Sequence, residues 1–402
     1  MANKLSVVEL IRRIRRQGLA EASRRVALRL YNRLDAGALE FPLLDGDIAD
    51  STRLPPAPEV ERRSSDEPVI VAWICTPPSR GSGGHTTLFR MVEALEERGH
   101  TCIIYLYDRH GGELGRHERV IRDNWPALRA EIRDAMSGVD PADAYVASSW
   151  ETAHVLASRV TAAGARLYFI QDYEPLFYPR GTLSALAEDS YRFGFVNIAL
   201  GEMVARNLKR DGLPYVLAPF GCDTSVYSLR DPEQPRAGVV FYSRPGSDRR
   251  GYVLGRLALE QFHRRHPEEP VHLYGDAGDD WPIPTVQHNK LPPHELNELY
   301  NTAKAGFAIS FTNISLVAEE LLAAGVVPVV TDAPDVRSDL PNPYVRWARP
   351  TPGALADALC AAVEAPDSPA IRAKIAGSVR QGWGPAQEVV ATTIVDAARG
   401  TL

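Results

Sequence analysis

The chain has 402 residues, which is enough for two domains, and 45% hydrophobic with 24% charged residues is typical of a soluble globular protein. A net charge of −6 argues against general nucleic-acid binding, and no apolar run approaches the roughly 20 residues of a membrane span. Neither a signal-peptide pattern nor a CxxC pair occurs, so we expect a cytoplasmic protein whose four widely spaced cysteines are reduced and buried.

Residues 1–67 are predicted to form a basic helix and a linker. Residues 5–34 have a partial apolar face, and up to residue 34 nine basic side chains stand against two acidic ones. Such a helix can bind an anionic membrane surface through residues 4–33, which would hold the protein at the inner face of the membrane. It can also pack on the protein body with its arginines in water. Proline and charge over 50–67 predict an extended linker.

Residues 68–218 alternate apolar runs with helical patterns, which predicts a Rossmann-like, doubly wound α/β domain. The predicted strands are 68–75, 101–107, 144–148, 166–170, 196–200 and 215–217. The predicted helices are 86–98, 153–163, 183–191 and 203–210, and 119–136 is predicted to be helical in whole or in part. Ligands of such sheets bind beyond the carboxyl ends of the strands. The polar clusters 80–85, 148–152 and 171–178 follow strands and are therefore candidate ligand loops.

The cluster 80–85 is a glycine-rich turn between a strand and a helix. Gly83 and Gly84 allow backbone N–H groups to approach a ligand closely, although a purely structural turn explains them as well. The turn lacks the Walker lysine and the G-x-G-x-x-G spacing, so a nicotinamide dinucleotide site is poorly supported. His85 follows as a candidate for the ligand cleft, with a structural histidine as the alternative.

The other two clusters combine aromatic rings and carboxylates, the groups that serve sugar faces and hydroxyls. They contain Trp150, Asp172, Tyr173 and Glu174. The alternative is a structured loop in which Asp172 caps the backbone and the aromatic rings pack. No cluster has metal-ligand spacing, so no required metal is expected.

Residues 219–236 read as an interdomain linker, 237–382 as a second Rossmann-like domain, and 383–402 as a terminal helix. The predicted strands of the second domain are 238–243, 271–274, 305–310, 326–330 and 345–347, and the predicted helices are 252–263, 294–302, 316–324, 352–364 and 371–379. Its first strand leads into a basic turn with Arg244 and Arg249, which suit a diphosphate. Arg250 is an alternative to Arg249, and a solvated basic turn is the alternative to a site.

The stretch 311–332 joins two predicted strands through a helix that ends at Gly325. Asn313 or Ser315 is the predicted N-cap. The backbone N–H groups of Ser315, Leu316 and Val317 would then face an anion. Glu319 and Glu320 lie about one turn further in, ~100° apart, so only one of them can face the same groove. That carboxylate accepts hydrogen bonds from sugar hydroxyls, or else lies on a solvated face.

The segment 320–325 (ELLAAG) resembles the second half of the donor-site motif of family 4 glycosyltransferases, which are retaining GT-B enzymes. That motif has two glutamates separated by seven residues, and the position of the first holds Thr312 here. The segments 82–90, 171–181 and 191–195 resemble the N-terminal domain of WsaF-type rhamnosyltransferases.

This resemblance implies a GT-B fold, two Rossmann-like domains facing across a cleft, with an added N-terminal helical arm. It implies that Glu320 binds the ribose of a nucleotide sugar and that its diphosphate is held by Arg244, Arg249 and the amides at Ser315, Leu316 and Val317. Gly83 and Gly84 would face the donor. The implied acceptor side comprises His85, Trp150, Asp172, Tyr173 and Glu174. The terminal helix would cross back to the first domain, and residues 287–291 would lie near the base.

The implied reaction is transfer of a sugar with retention, from dTDP-L-rhamnose or another nucleoside-diphosphate sugar, without a metal cofactor. The acceptor would be a hydroxyl of a saccharide, a lipid-linked glycoconjugate or a small molecule. One alternative is a nucleotide-sugar epimerase of the same fold, and another is a non-catalytic paralogue that binds nucleotide sugar. Thr312, where the motif has glutamate, keeps the second alternative open.

Overall fold

The computed structural model describes residues 23–24, 26–31, 33–34, 40–56, 60, 67–276, 281–313, 316–379 and 382–402. The described residues fall into two compact units, Met1–Ile48 and Ala49–Leu402. In the first unit residues 26–31 are helical, and most of the predicted helix 5–34 lies outside the described residues. The second unit contains two parallel sheets, which we call the first and second domain.

Among the described residues, the first domain is built on a sheet of seven parallel strands. The strands are β1 (Ile70–Cys75), β2 (Thr101–Leu106), β3 (Glu131–Asp134), β4 (Ala144–Ala147), β5 (Ala165–Ile170), β6 (Val196–Leu200) and β7 (Val216–Ala218). The helices are α1 (Gly83–Glu97), α2 (Leu114–Asn124), α3 (Trp150–Arg159), α4 (Thr182–Ser190) and α5 (Glu202–Arg210). The central strands are apolar and almost wholly buried, as parallel strands covered on both faces require.

The strand order of this sheet is β3-β2-β1-β4-β5-β6-β7, so the direction of winding reverses between β1 and β4. Loops that follow the two strands at such a reversal leave a crevice for a ligand. The glycine-rich turn follows β1, and the cluster 148–152 follows β4. Two of the three predicted polar clusters therefore flank the crevice, and the third follows the neighbouring strand β5.

The segment predicted to be helical in whole or in part, 119–136, is helical only in its first residues. Helix α2 ends at Asn124, and residues 131–134 form strand β3, which pairs with β2 at the edge of the sheet. Pro126 disfavours helical backbone at the residue before it, which explains where the helix stops. Ile132, the one apolar residue of β3, is then buried at the edge of the core. Local pattern does not distinguish this role from a place on a helix.

The second domain, in the part that the structure describes, has a sheet of six parallel strands in the order β10-β9-β8-β11-β12-β13. The strands are β8 (Val239–Ser243), β9 (Val271–Gly275), β10 (Val286–Gln287), β11 (Ala305–Ala308), β12 (Val327–Thr331) and β13 (Arg346–Ala348). The helices are α6 (Tyr252–Arg265), α7 (Pro293–Thr302), α8 (Leu316–Ala323), α9 (Pro334–Asp339), α10 (Pro352–Val363), α11 (Pro369–Ala376) and α12 (Gly384–Ala398). Here the winding reverses between β8 and β11.

The chain passes between the domains twice, and the two passages touch. Cys222 of the first passage forms an isolated antiparallel bridge with Gly382 of the second. A Cβ atom at Gly221 would collide with the backbone of Gly382, so only glycine allows this approach. Helix α12 then packs on α1 of the first domain, where Gln387 Nε2 donates to the carbonyl of Arg90 (3.0 Å).

The cysteines are buried and carry free thiols. Within the described part of the chain, none of the helices has both the length and the apolar character that crossing a bilayer demands.

Candidate functional site

The loops that follow β8 and β11 lie side by side at the reversal point of the second sheet. The backbone N–H of Phe311 donates to the carbonyl of Arg249 (3.0 Å). Gly251 has a φ of 61°, and a Cβ atom there would collide with the side chain of Ile309. The glycine therefore lets the basic turn after β8 press against the end of β11, where a ligand of this sheet would bind.

Arg249 reaches from this turn into the cleft between the domains. Its Nη1 lies 3.4 Å from Oδ2 of Asp172 and 3.4 Å from Oγ1 of Thr312. Its guanidinium carbon lies 4.4 Å from the ring centroid of Phe177. Asp172 and Phe177 belong to the first domain, so the arginine predicted to bind a diphosphate stands at the interdomain boundary.

The two neighbouring arginines differ from Arg249. Arg250 donates to Oγ of Ser310 (3.0 Å), and that hydroxyl donates to the carbonyl of Asn313 (2.6 Å). Burial, and then the charge of Arg249, lower the pKa of Arg250 to about 10. Arg250 thus supports the loop 310–313. Arg244 is exposed and donates to the hydroxyl of Tyr242 (3.3 Å).

Helix α8 begins at Leu316, and Leu316 and Val317 are both half-buried. Ser315, the third predicted phosphate-binding amide and a predicted N-cap, lies outside the described residues. Asn313, the other predicted N-cap, donates through Nδ2 to the carbonyl of Gln171 in the first domain (3.1 Å). The loop before α8 is therefore tied to the opposite domain.

The two glutamates of α8 are placed differently. Glu319 is 4% exposed, whereas Glu320 is half-buried and accepts a hydrogen bond from the hydroxyl of Tyr300 (3.2 Å). The hydroxyl of Tyr300 also lies 2.8 Å from that of Tyr274. Burial raises the pKa of Glu320 to about 7. The hydrogen bond from Tyr300 and the charge of Arg90 oppose this effect and lower the pKa.

Arg90, whose charge lowers the pKa of Glu320, contacts both interdomain passages. Its Nη2 lies 2.5 Å from Oδ2 of Asp223 in the first passage. Its guanidinium carbon lies 5.3 Å from the ring centroid of Trp383 in the second. Glu320 therefore stands close to the point about which the two domains are joined.

The glycine-rich turn of the first domain forms the start of α1. Ser82 caps the helix by accepting from the N–H of His85 (3.5 Å). A Cβ atom at Gly84 would lie 3.8 Å from Oε1 of Gln171, and one at Gly83 would have no other heavy atom of the described residues within 4 Å. Space for a ligand is therefore open above Gly83.

His85 has both ring nitrogens engaged. Nε2 donates to the carbonyl of Thr76 (2.9 Å), which requires the tautomer with the proton on Nε2, and Nδ1 then accepts from the hydroxyl of Ser82 (2.8 Å). Burial lowers the pKa of His85, which favours the neutral ring. These bonds fix the ring in place and leave no free nitrogen to take a proton from an acceptor.

Trp150 and Glu174 form one buried network at the ends of β4 and β5. Oε2 of Glu174 accepts from the backbone N–H of Trp150 (2.6 Å) and from the hydroxyl of Tyr168 (2.6 Å). The indole N–H of Trp150 donates to the hydroxyl of Tyr178 (3.1 Å). Burial, and then the charge of Glu151, raise the pKa of Glu174 well above its usual value. This network shapes the loop 171–178.

The remaining predicted acceptor-side residues point in different directions. Tyr173 is 4% exposed and donates to Oδ2 of Asp211 (3.1 Å), away from the second domain. Asp172 is 5% exposed and faces the second domain, where it accepts from Oγ1 of Thr312 (2.8 Å). The predicted loop thus combines structural residues with one carboxylate that belongs to the cleft.

Several residues of the cleft have no signal in local sequence. Arg90, Gln171, Tyr300 and Ser310 reach it only through the packing of separate elements. Thr312, by contrast, has a signal in the sequence, because it stands where the family motif has a glutamate. The site predicted for the base, residues 287–291, lies at the edge strand β10, whose two residues are exposed.

Both domains match known families. Residues 237–360 match the family described as WsaF, C-terminal domain, and residues 128–202 match WsaF, N-terminal domain. The O-antigen biosynthesis protein RfbC of Myxococcus xanthus is 29% identical over 310 residues, covering 73% of this chain and 23% of that protein. The chain thus spans less than a quarter of this relative's length.

The fold matches solved structures over most of the chain. Anabaena Alr3699/HepE in complex with UDP-glucose has a TM-score of 0.61 at 13% identity, covering 81% of this chain and 99% of that one. WaaG, a glycosyltransferase involved in lipopolysaccharide biosynthesis, has a TM-score of 0.57 at 12% identity, covering 81% of this chain and 99% of that one. The class of the protein is therefore GT-B: two parallel-sheet α/β domains facing across a cleft. Within this class, both domain matches are to WsaF.

Proposed function

We propose that the protein is a retaining glycosyltransferase of the family 4 type. It moves a sugar from a nucleoside-diphosphate sugar to a hydroxyl of a saccharide, lipid-linked or small-molecule acceptor. The favoured donor is dTDP-L-rhamnose, which makes L-rhamnose the transferred sugar, and another nucleoside-diphosphate sugar is the alternative. Its pathway is the synthesis of a polysaccharide such as O-antigen. The matches to both WsaF domains and the similarity to the O-antigen biosynthesis protein of M. xanthus support the class of reaction.

The observation that carries the proposal is the arrangement at the reversal point of the second sheet. Arg249 enters the cleft from the turn after β8, and Glu320 lies on α8, the helix that follows β11. A cation and a helix N-terminus suit a diphosphate, and a carboxylate one turn further suits the ribose hydroxyls. HepE, which has this fold, was crystallised with UDP-glucose.

In the proposed reaction the bond between the anomeric carbon and the diphosphate oxygen breaks, and a bond to the acceptor oxygen forms on the same face of the sugar. The leaving phosphate oxygen accepts the acceptor's proton. Negative charge grows on the leaving diphosphate, and stabilising it is the largest catalytic effect that the protein can supply. We assign this to Arg244, Arg249 and the amides at the start of α8, with no metal required.

The N-terminal arm is part of the proposal as a peripheral membrane contact through residues 4–33. Among the described residues of this arm, Val26, Leu28, Leu30 and Leu34 are 52–74% exposed, beside basic residues of the same helix. Apolar and basic groups together suit an anionic lipid surface. Flotation with vesicles containing phosphatidylglycerol should capture the whole chain, and vesicles of phosphatidylcholine alone should not.

A transfer assay with a panel of donors tests the reaction. The protein is incubated with radiolabelled dTDP-L-rhamnose, UDP-glucose or GDP-mannose, with and without a set of saccharide acceptors. We expect label in an acceptor product with dTDP-L-rhamnose. Conversion of the nucleotide sugar without any acceptor would instead indicate the epimerase. Nucleotide-dependent thermal stabilisation with neither reaction would indicate the non-catalytic paralogue.

A further inference from the structure

The carboxylate of Asp172 occupies a site made by the other domain. Within the described residues, three groups of the second domain donate to it. They are the hydroxyl of Thr312 (2.8 Å), the backbone N–H of Asn313 (3.2 Å) and the guanidinium of Arg249 (3.4 Å). Asp172 itself is in the loop after β5 of the first domain. A hydroxyl, a backbone amide and a guanidinium that converge on one point form a receptor for an anion.

We infer that Asp172 is a built-in occupant of the phosphate subsite of the donor. It holds these three groups while no donor is bound and gives them up to a phosphate of the nucleotide sugar. The inference rests on the proposed function, because it names the ligand of the same cleft. It adds Thr312 and Asn313 to the phosphate-binding groups and gives Asp172 a role on the donor side.

The position of the subsite supports a phosphate as its ligand. Thr312 and Asn313 lie between the end of β11 and the start of α8, and Arg249 lies on the turn after β8. These two loops flank the reversal point of the sheet, where ligands of such folds bind. The first turn of α8 adds the positive end of a helix dipole to the same place.

Asp172 and a phosphate exclude one another at this point. Asp172 is only 5% exposed, so water screens its charge poorly. A phosphate in contact with Arg249 and Thr312 would lie against the carboxylate, and like charges repel strongly where water is scarce. Burial raises the pKa of Asp172, and the charge of Arg249 opposes this effect.

The exchange also loosens the contact between the domains. The neighbouring bond from Nδ2 of Asn313 to the carbonyl of Gln171 (3.1 Å) joins the same two loops. When a phosphate takes the place of Asp172, the loop 171–178 loses its main polar attachment to the second domain. Donor binding is thereby coupled to the freedom of the loop that borders the acceptor side.

The test is a calorimetric titration of the full chain with dTDP and with UDP. We expect Asp172→Asn to bind the nucleoside diphosphate at least tenfold more tightly than the unchanged protein, because the competing charge is gone. Asp172→Ala gives a second measure of the same effect. Thr312→Val should weaken binding in the Asp172→Asn background, because it removes one of the groups that the phosphate gains.

The matched control is Asp339→Asn. Asp339 is a buried carboxylate of the second domain that accepts from the backbone N–H groups of Glu202 (2.5 Å) and Met203 (3.3 Å) in the first. This variant therefore weakens an interdomain carboxylate contact without touching the three groups around Asp172. Its affinity should stay within twofold of the unchanged protein.

The outcomes separate this inference from the proposed function. If the unchanged protein binds nucleotide and transfers sugar while both Asp172 variants bind no more tightly, only the occupant role is overturned. Equal tightening by Asp339→Asn would overturn it too, since loosening of the domains would then suffice. If neither the unchanged protein nor the Asp172 variants bind any nucleoside diphosphate, the proposed function falls as well.

Discussion

Arg249→Ala is expected to lower donor turnover at least ~100-fold, which corresponds to ~2.7 kcal/mol of lost transition-state stabilisation. The guanidinium lies in the cleft, 3.4 Å from Thr312 and over the ring of Phe177, where water is partly excluded. A cation in such a place stabilises a leaving diphosphate far more than one in free solvent. The loss should appear mainly in kcat, because charge on the leaving group is greatest in the transition state.

Steady-state transfer from the donor measures this effect, with circular dichroism to verify that the variant folds. Arg249→Lys should recover part of the rate, since it keeps the charge but not the two-pronged geometry. Arg256→Ala is the matched control, because Arg256 lies on α6 and pairs with Glu260 four residues later. If Arg249→Ala transferred sugar at the wild-type rate, the assignment of Arg249 to the diphosphate site would be wrong.

Arg244→Ala distinguishes the two predicted cations. The sequence pattern gives Arg244 and Arg249 equal weight, and a ~100-fold loss is the result expected if Arg244 also contacts the diphosphate. Arg244 is exposed, so contact with the diphosphate would require its side chain to turn toward the cleft. A loss below tenfold would indicate that Arg249 and the helix amides stabilise the charge on the leaving diphosphate without Arg244.

Glu320→Ala is expected to lower turnover by a similar factor, at least ~100-fold, through loss of the ribose contact. The side chain also gives donor binding a pH dependence. With its pKa near 7, Glu320 is mostly protonated at pH 6 and mostly ionised at pH 8. Ribose hydroxyls donate to the ionised form, so the affinity for a nucleotide sugar should fall about tenfold from pH 8 to pH 6, following the ionised fraction.

The measurement is the dissociation constant of the nucleotide sugar from pH 6 to pH 8. A nucleotide sugar is the right probe, because its diphosphate has no group that titrates in this range. Glu320→Gln keeps the size of the side chain and its contact with Tyr300, and should show a flat profile. A parallel slope in the variant would assign the pH dependence to another group.

The same pKa has a consequence for stability. Because the folded pKa is above the ordinary value of 4.5, the folded state binds more protons between pH 4.5 and 7. The contribution of Glu320 to the free energy of unfolding therefore falls as the pH rises through that window. Glu320→Gln should remove this part of the slope in denaturant titrations, which provides a check that needs no substrate.

The alternation of β-branched runs with helical patterns was sufficient to predict the fold class. Parallel strands buried on both faces are apolar throughout, and the helices between them carry their own start and stop signals, such as Ser82 before α1 and Gly325 after α8. The exception was strand β3. Four residues at a sheet edge carry too little pattern to be separated from a helix, and only pairing with β2 defines them.

The candidate site was predictable where it follows strand ends and not where it depends on packing. Arg249, Glu320 and the glycine-rich turn could be named in advance, because βα turns are where parallel sheets bind ligands. The interior roles of Tyr173 and Glu174 could not, since burial depends on neighbours distant in sequence. The same holds for Arg90, whose partners Asp223 and Trp383 lie on the two interdomain passages.

What the sequence by itself determined is therefore local: which segments are strands or helices, and which polar residues stand at their ends. Only the tertiary structure decided which domain each side chain serves. Asp172, which the family resemblance assigns to the acceptor side, accepts from Thr312 and Asn313 of the opposite domain. The physical reason is that a contact between residues 140 positions apart has no trace in either local pattern. It exists because two sheets bring the carboxyl ends of their strands to one cleft.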